Sequence, residues 1–115
     1  HSGLIPETRG LDSFKWSIIK FRKVGNSLHY IDKNIDLGTI ISHKVTKLFK
    51  KDTLKSFSNR HYNNEIKMLV NFEKYISKPK LFRLRKKKVN FRMNLNIEKN
   101  IEKYFLLYKK KFLGK

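Results

Sequence analysis

The chain has 115 residues, 39% of them apolar, including nine Phe and five Tyr, which is material for one domain with a real core and no more. Lys and Arg outnumber Asp and Glu 28 to 9, a formal net charge of +19. There is no cysteine, so disulfides and thiolate metal sites are excluded, and no apolar run approaches the roughly 20 residues of a bilayer span.

The chain opens with HSGLIPETRG. His1 stands in a small-residue turn, and residues 4–10 read as a loop in which Pro6 restricts Ile5 and Gly10 is free to turn. Asp12 or Ser13 suits a helix N-cap, and a helix is expected over 11–21 with Leu11, Phe14, Ile18 and Phe21 on one stripe. Trp16 beside that stripe reads as core or as an interface anchor. Gly25 ends the connection, and residues 27–31 make a strand through Leu28, Tyr30 and Ile31. Residues 32–38 carry turn chemistry, and 39–46 make a second strand with Ile41, His43 and Val45 on one face.

Asp52 is expected to cap the longest helix, which runs to about Ile76 through Leu54, Phe57, His61, Ile66, Leu69 and Phe72. Pro79 breaks it. Residues 80–88 form an exposed basic run, and a last amphipathic helix covers 96–112 with Ile97, Ile101, Tyr104, Phe105, Tyr108 and Phe112 inward. The chain therefore divides into 1–76 and a basic linker with a C-terminal helix, 77–115. About two strands and three helices make an α/β chain. A two-stranded sheet is marginal alone, so the strands are expected to join a larger sheet and the chain to be truncated.

His1 and Asp36 stand out chemically. An imidazole and a carboxylate presented from two loops suit general acid–base work on an amine. Each has a plainer reading, His1 as an exposed terminal residue and Asp36 as a turn former before Gly38. Arg9 leaves the first turn with a planar fork suited to phosphate oxygens, or as a solvated loop arginine. His29 is expected to be packed in its strand. His43 and His61 lack a ligand partner at useful spacing, so no metal is expected.

The segments HSGLIPETRG, LDSFKWSII and GNSLHYIDKNIDLGTII together resemble the second half of the folate-dependent formyltransferase catalytic domain. The likeness rests on His1, Leu4, Pro6, Gly10, His29, Tyr30, Ile31, Asp36 and Gly38. It is strongest over 1–41 and weaker to Phe72. It implies a fragment of a Rossmann-like domain lacking its N-terminal half. The family's catalytic Asn lies two residues before its His and falls ahead of His1.

By resemblance, formyl-tetrahydrofolate is the co-substrate and an amine the acceptor. His1 would donate to the oxyanion of the tetrahedral intermediate. Asp36 would hold the His, orient a water and help remove the amine proton. Ile31, Asp32, Lys33, Asn34, Ile35 and Leu37 would lie against the pterin and offer it backbone groups, although Asp32 alone reads as a turn residue. The tail and the GLDSFKW variant are similar to the amino-sugar branch, so the expected acceptor is a nucleotide-linked amino sugar. A lost oxyanion donor costs on the order of a hundredfold to a thousandfold, so this chain alone is expected to be inactive.

The positive charge has its own readings. Lys, Asn, Ile and Phe are over-used together, and Lys is spread along the chain. Loose, non-specific adsorption to nucleic acid is expected, and a small basic nucleic-acid-binding module is the alternative function. A helical partner protein using Phe14 and Trp16 is a third. No cleavable signal pattern precedes Glu7 and Arg9, so a soluble cytoplasmic protein with no membrane association is expected.

Overall fold

The computed structural model describes residues 1–4, 8–29, 40–77 and 89–114. In chain order these form β1 (Arg9–Gly10), α1 (Ser13–Ile19), β2 (Gly25–His29), β3 (Ile40–Val45), α2 (Leu54–Val70), α3 (Phe72–Ser77), β4 (Val89–Asn90), α4 (Leu95–Glu98) and α5 (Ile101–Leu113). The class is α/β, as the sequence indicates. The expected basic run, 80–88, lies outside the described residues.

β2 and β3 pair antiparallel, from Gly25 opposite Val45 to His29 opposite Ile40, with an irregularity between Leu28 and His29. The first residue extends this sheet. The His1 backbone nitrogen donates to Ser27 O at 2.7 Å, and Ser27 N donates to His1 O at 2.9 Å. β1 and β4 form a separate parallel pair, Arg9 with Val89 and Gly10 with Asn90, where a loop is expected. No local pattern announces it, because two-residue strands carry no periodicity and the partners are eighty residues apart.

Several boundaries differ from the sequence reading, each for a local reason. α1 starts at Ser13 and stops at Ile19, because Asp12 and Phe21 both take positive φ, 53° and 52°. Asp12 occupies the N-cap position, but its carboxylate caps nothing in α1 and instead accepts from Met93 N at 2.8 Å. β2 begins two residues early, at Gly25, and the lack of a side chain explains it. A Cβ there would sit 2.5 Å from Lys44 O and 2.7 Å from Leu4 Cδ2.

The cap of α2 is Thr53, not Asp52. Thr53 Oγ1 accepts from Ser56 N at 3.1 Å, and Ser56 Oγ accepts from Thr53 N at 3.0 Å. Asp52 is held by the Arg60 fork at 2.7 and 2.9 Å, and also accepts from Phe49 N and Ser56 Oγ, both at 2.8 Å. Burial alone would raise its pKa. These hydrogen bonds and the guanidinium charge overcome that and hold it at about 2. α2 stops at Val70, Asn71 caps it, and α3 resumes at Phe72. The last helix is likewise split, with Asn94 Oδ1 capping α4 through Ile97 N at 2.9 Å before α5 begins.

The core lies between α1, α2 and α5. Phe14, Ile18, Val24, Phe57, Phe105 and Tyr108 are buried together. Phe57 stacks on Phe105 at 5.8 Å and touches Phe14 and Tyr108 rings at 5.5 and 6.0 Å. The i, i+4 pair Phe14–Ile18 and the i, i+3 pair Phe105–Tyr108 supply one inward face each. The Tyr108 hydroxyl donates to Arg22 O at 2.7 Å, and its burial raises the phenol's pKa. The apolar stripe of α2 drifts. Phe57, His61 and Met68 go inside, while Ile66 and Leu69 remain exposed, as does Phe72 at the start of α3.

Candidate active site

His1 is fixed at both ends. Its backbone is paired with Ser27, and its Nε2 lies 3.2 Å from Thr8 O and 3.3 Å from Ser13 Oγ. Ser13 Oγ spends its own proton on Gly10 O at 3.0 Å, so toward His1 it accepts. Both neighbours of Nε2 are therefore acceptors, and Nε2 carries the proton. Nδ1 is then the atom through which the neutral ring gains a proton. Gly3 makes this turn close: a Cβ there would meet Thr8 O at 2.8 Å, Ser13 Cβ at 2.9 Å and His1 Nε2 at 3.0 Å. Ser27 Oγ donates to Gly3 O at 2.7 Å.

A small cavity of about 30 Å³ lies beside the ring, lined by His1, Asn26, Ser27 and Leu28 and by Glu65, Met68 and Leu69 of α2. It has room for a water and not for a heterocycle. Asn26 is 1% exposed. Its Nδ2 donates to His61 O at 3.0 Å, which fixes the amide's orientation, and its Oδ1 accepts nothing among the described residues. Glu65 brings a carboxylate to the same cavity as His1. The sequence reading passed over it, because an acidic residue in a helix is ordinarily a solvated one.

His61 was also missed. Its ring is fully buried, with Nε2 2.7 Å from Ser2 Oγ and Nδ1 3.2 Å from Thr46 Oγ1. The rings of Phe14 and Tyr62 lie 5.3 and 5.0 Å away. Burial lowers its pKa to about 4, against the opposing contact with Ser2. The signal was present, since His61 falls on the apolar stripe of α2. Its two hydroxyl partners lie fifty-nine and fifteen residues away, beyond any local spacing rule.

The other sequence candidates fall as follows. Asp36 and the loop residues Ile31, Asp32, Lys33, Asn34, Ile35 and Leu37 lie outside the described residues. Arg9 is in β1, and its side chain is also outside the description. His29 is half-buried with its ring 6.5 Å from that of His1, edge-on. His43 sits on β3 opposite Ser27. Trp16 is neither core nor an open anchor. Its indole donates to Phe91 O at 2.6 Å, and the Lys20 ammonium lies 5.2 Å from the ring centre. Among the described residues no group of three or more His, Cys, Asp or Glu could hold a metal, and no helix is long and apolar enough to cross a membrane.

The described residues thus form an α/β chain that carries a histidine on a glycine-tightened turn beside an antiparallel pair of strands. The comparison with known proteins gives the family. Residues 1–72 match the formyl transferase family, and the chain belongs to it. A sugar N-formyltransferase from Shewanella sp. FDAARGOS_354 superposes with a TM-score of 0.61 at 26% identity, over 94% of this chain and 49% of that one. The formyltransferase PseJ from Anoxybacillus kamchatkensis, solved with UDP-4,6-dideoxy-4-formamido-L-AltNAc and tetrahydrofolate, gives 0.65 at 24% identity, over 86% of this chain and 53% of that one. The phosphoribosylglycinamide formyltransferase of Bacillus subtilis (strain 168) is 32% identical over 68 residues, 58% of this chain and 35% of that protein. The chain thus spans about half the length of the solved structures and about a third of the Bacillus protein.

Proposed function

We propose that these residues form the acid–base half of a formyltransferase site that moves a formyl group from formyl-tetrahydrofolate to the amine of a nucleotide-linked amino sugar. The observation that carries this reading is the family match over 1–72 together with the His1 turn. With Nε2–H spent on Thr8 O and Ser13 Oγ, the protonated ring would offer its second proton from Nδ1 to the oxyanion that forms when the amine attacks the formyl carbon. Asp36 would hold that ring and take the amine proton. Formyl-tetrahydrofolate supplies the activated one-carbon unit. The cavity beside His1 admits only a water, so the pterin would lie against residues 31–37, and Arg9 would meet a substrate phosphate. The sugar branch is favoured because the Shewanella relative is a sugar N-formyltransferase and the Anoxybacillus one was solved with a UDP-linked formamido sugar.

The reading further holds that the 115 residues alone do not turn over, since they correspond to only half of the solved chains. Formylation of a UDP-amino sugar by this chain alone would refute that part. A chimera tests the rest: residues 1–72 of this chain replace the matching segment of a sugar N-formyltransferase. The chimera should formylate, and His1→Ala in it should cost about a hundredfold to a thousandfold in kcat. A folded chimera indifferent to that substitution would defeat the assignment.

A second reading rests on the net charge of +19. It is loose adsorption to nucleic acid, which should vanish near physiological salt. Sequence-selective binding that persists there would favour a dedicated nucleic-acid module instead.

A further inference from the structure

Ser2 stands between two histidines. It follows His1 directly in the chain, and its hydroxyl lies 2.7 Å from Nε2 of His61. We infer that His61 is a positioning residue: a buried imidazole that fixes the Ser2 hydroxyl and thereby holds the turn presenting His1. Its relevance to catalysis rests on the proposed function, but its geometry does not.

Three contacts converge on His61 from three segments. Ser2 comes from the first turn, Thr46 follows β3, and the Asn26 amide of β2 reaches its carbonyl. A neutral imidazole has one donor and one acceptor. Each ring nitrogen therefore faces a hydroxyl that can donate or accept, Ser2 Oγ at Nε2 and Thr46 Oγ1 at Nδ1, and Thr46 is itself buried. A leucine in this space would fill it, but would leave two hydroxyls without the ring that joins them. What the histidine adds over an apolar residue is direction. It aims Ser2, and Ser2 is covalently joined to the residue whose carbonyl and backbone nitrogen are paired with Ser27 and whose ring is docked on Thr8 and Ser13.

Long-range proton–nitrogen spectra of the 115-residue chain, labelled at histidine nitrogen, read both rings near pH 7. His61 should show a single neutral tautomer, with one ring nitrogen protonated and the other bare. Ser2→Ala should shift the His61 Nε2 signal and, by freeing the turn, weaken the ring contacts from His1 to Ser13; Ser2→Thr should restore both. Thr46→Val should move His61 Nδ1 and spare His1. In the chimera described above, Ser2→Ala should lower kcat about two- to tenfold, the size of one lost hydrogen bond, with KM little changed and with rescue by Ser2→Thr. A His61 whose two tautomers exchange freely overturns the inference, as does a His1 ring unmoved by Ser2→Ala or a kcat indifferent to it. Because the spectra require no turnover, a failure of the formyltransferase reading leaves them intact, and the converse also holds.

Discussion

Acid should weaken this fold through His61, in a window its environment sets. In the unfolded chain the imidazole titrates near 6.5, whereas in the folded chain burial lowers it to about 4. Between those values the unfolded state binds the proton and the folded state refuses it, so falling pH favours unfolding. The stability at stake is fully present above about pH 6.5, declines as the pH falls, and is gone by about pH 4. The shift corresponds to about 3 kcal/mol, a large part of the ~5–15 kcal/mol that holds a typical domain. Urea denaturation at a series of pH values from 7.5 to 4 measures it. His61→Gln supplies the control, since Gln keeps polar groups in the space and does not titrate. The wild-type curve should fall more steeply than the variant's across this window. Asp52 does not blur the result, because with its carboxyl held at about 2 its own contribution is lost only as the pH drops from near 3.8 toward 2. Equal losses in wild type and His61→Gln would refute the reasoning, as would a His61 titration midpoint near 6.5 by NMR.

Three further expectations follow from packing and pairing. Phe57→Ala removes the ring on which Phe14, Phe105 and Tyr108 converge, and should cost about 3–5 kcal/mol in thermal or urea unfolding. Gly25→Ala drives a methyl to within 2.5 Å of Lys44 O, and should lower stability by about 1–3 kcal/mol and weaken amide protection in β2 and β3. Arg60→Met should cost about 1–3 kcal/mol and move the Asp52 carboxyl up from about 2, shifting the strong-acid limb of the stability curve to higher pH.

What was legible in the sequence is what depends on near neighbours. The periods of α1, α2 and α5 identify the core faces, and Phe14, Ile18, Phe57, Phe105 and Tyr108 are buried where those periods put them. The two antiparallel strands and the turn at His1 follow from local composition and glycine. What was not legible depends on partners far along the chain. Asp52 resembles a cap until Arg60, two turns on, takes both of its oxygens. Asp12 resembles a cap until Met93 claims it across eighty-one residues. β1 exists only because Val89 and Asn90 come alongside. His61 was placed on the stripe of the longest helix without a partner at useful spacing, because Ser2 and Thr46 gain meaning only after the sheet has formed.

The protonation of His1 constrains the proposed chemistry more tightly than the motif does. A histidine read from sequence has two interchangeable nitrogens. Here Nε2 faces a carbonyl and a hydroxyl whose proton is already committed to Gly10 O, so the tautomer is decided by the turn. Under the proposed reaction the oxyanion must approach from the Nδ1 side, and Asp36 acts on the ring through its charge rather than by taking the Nδ1 proton. Asp36→Asn separates the two demands. Asn keeps the size and polarity of the side chain but loses the charge that stabilises an imidazolium and the base that takes the amine proton. In the chimera, kcat should therefore fall by about a hundredfold or more, while the His1 tautomer in the 115-residue variant stays Nε2–H. A tautomer that switches with Asp36→Asn would mean that the loop, and not Thr8 and Ser13, sets the ring, and the assignment of roles to the two nitrogens would have to be exchanged.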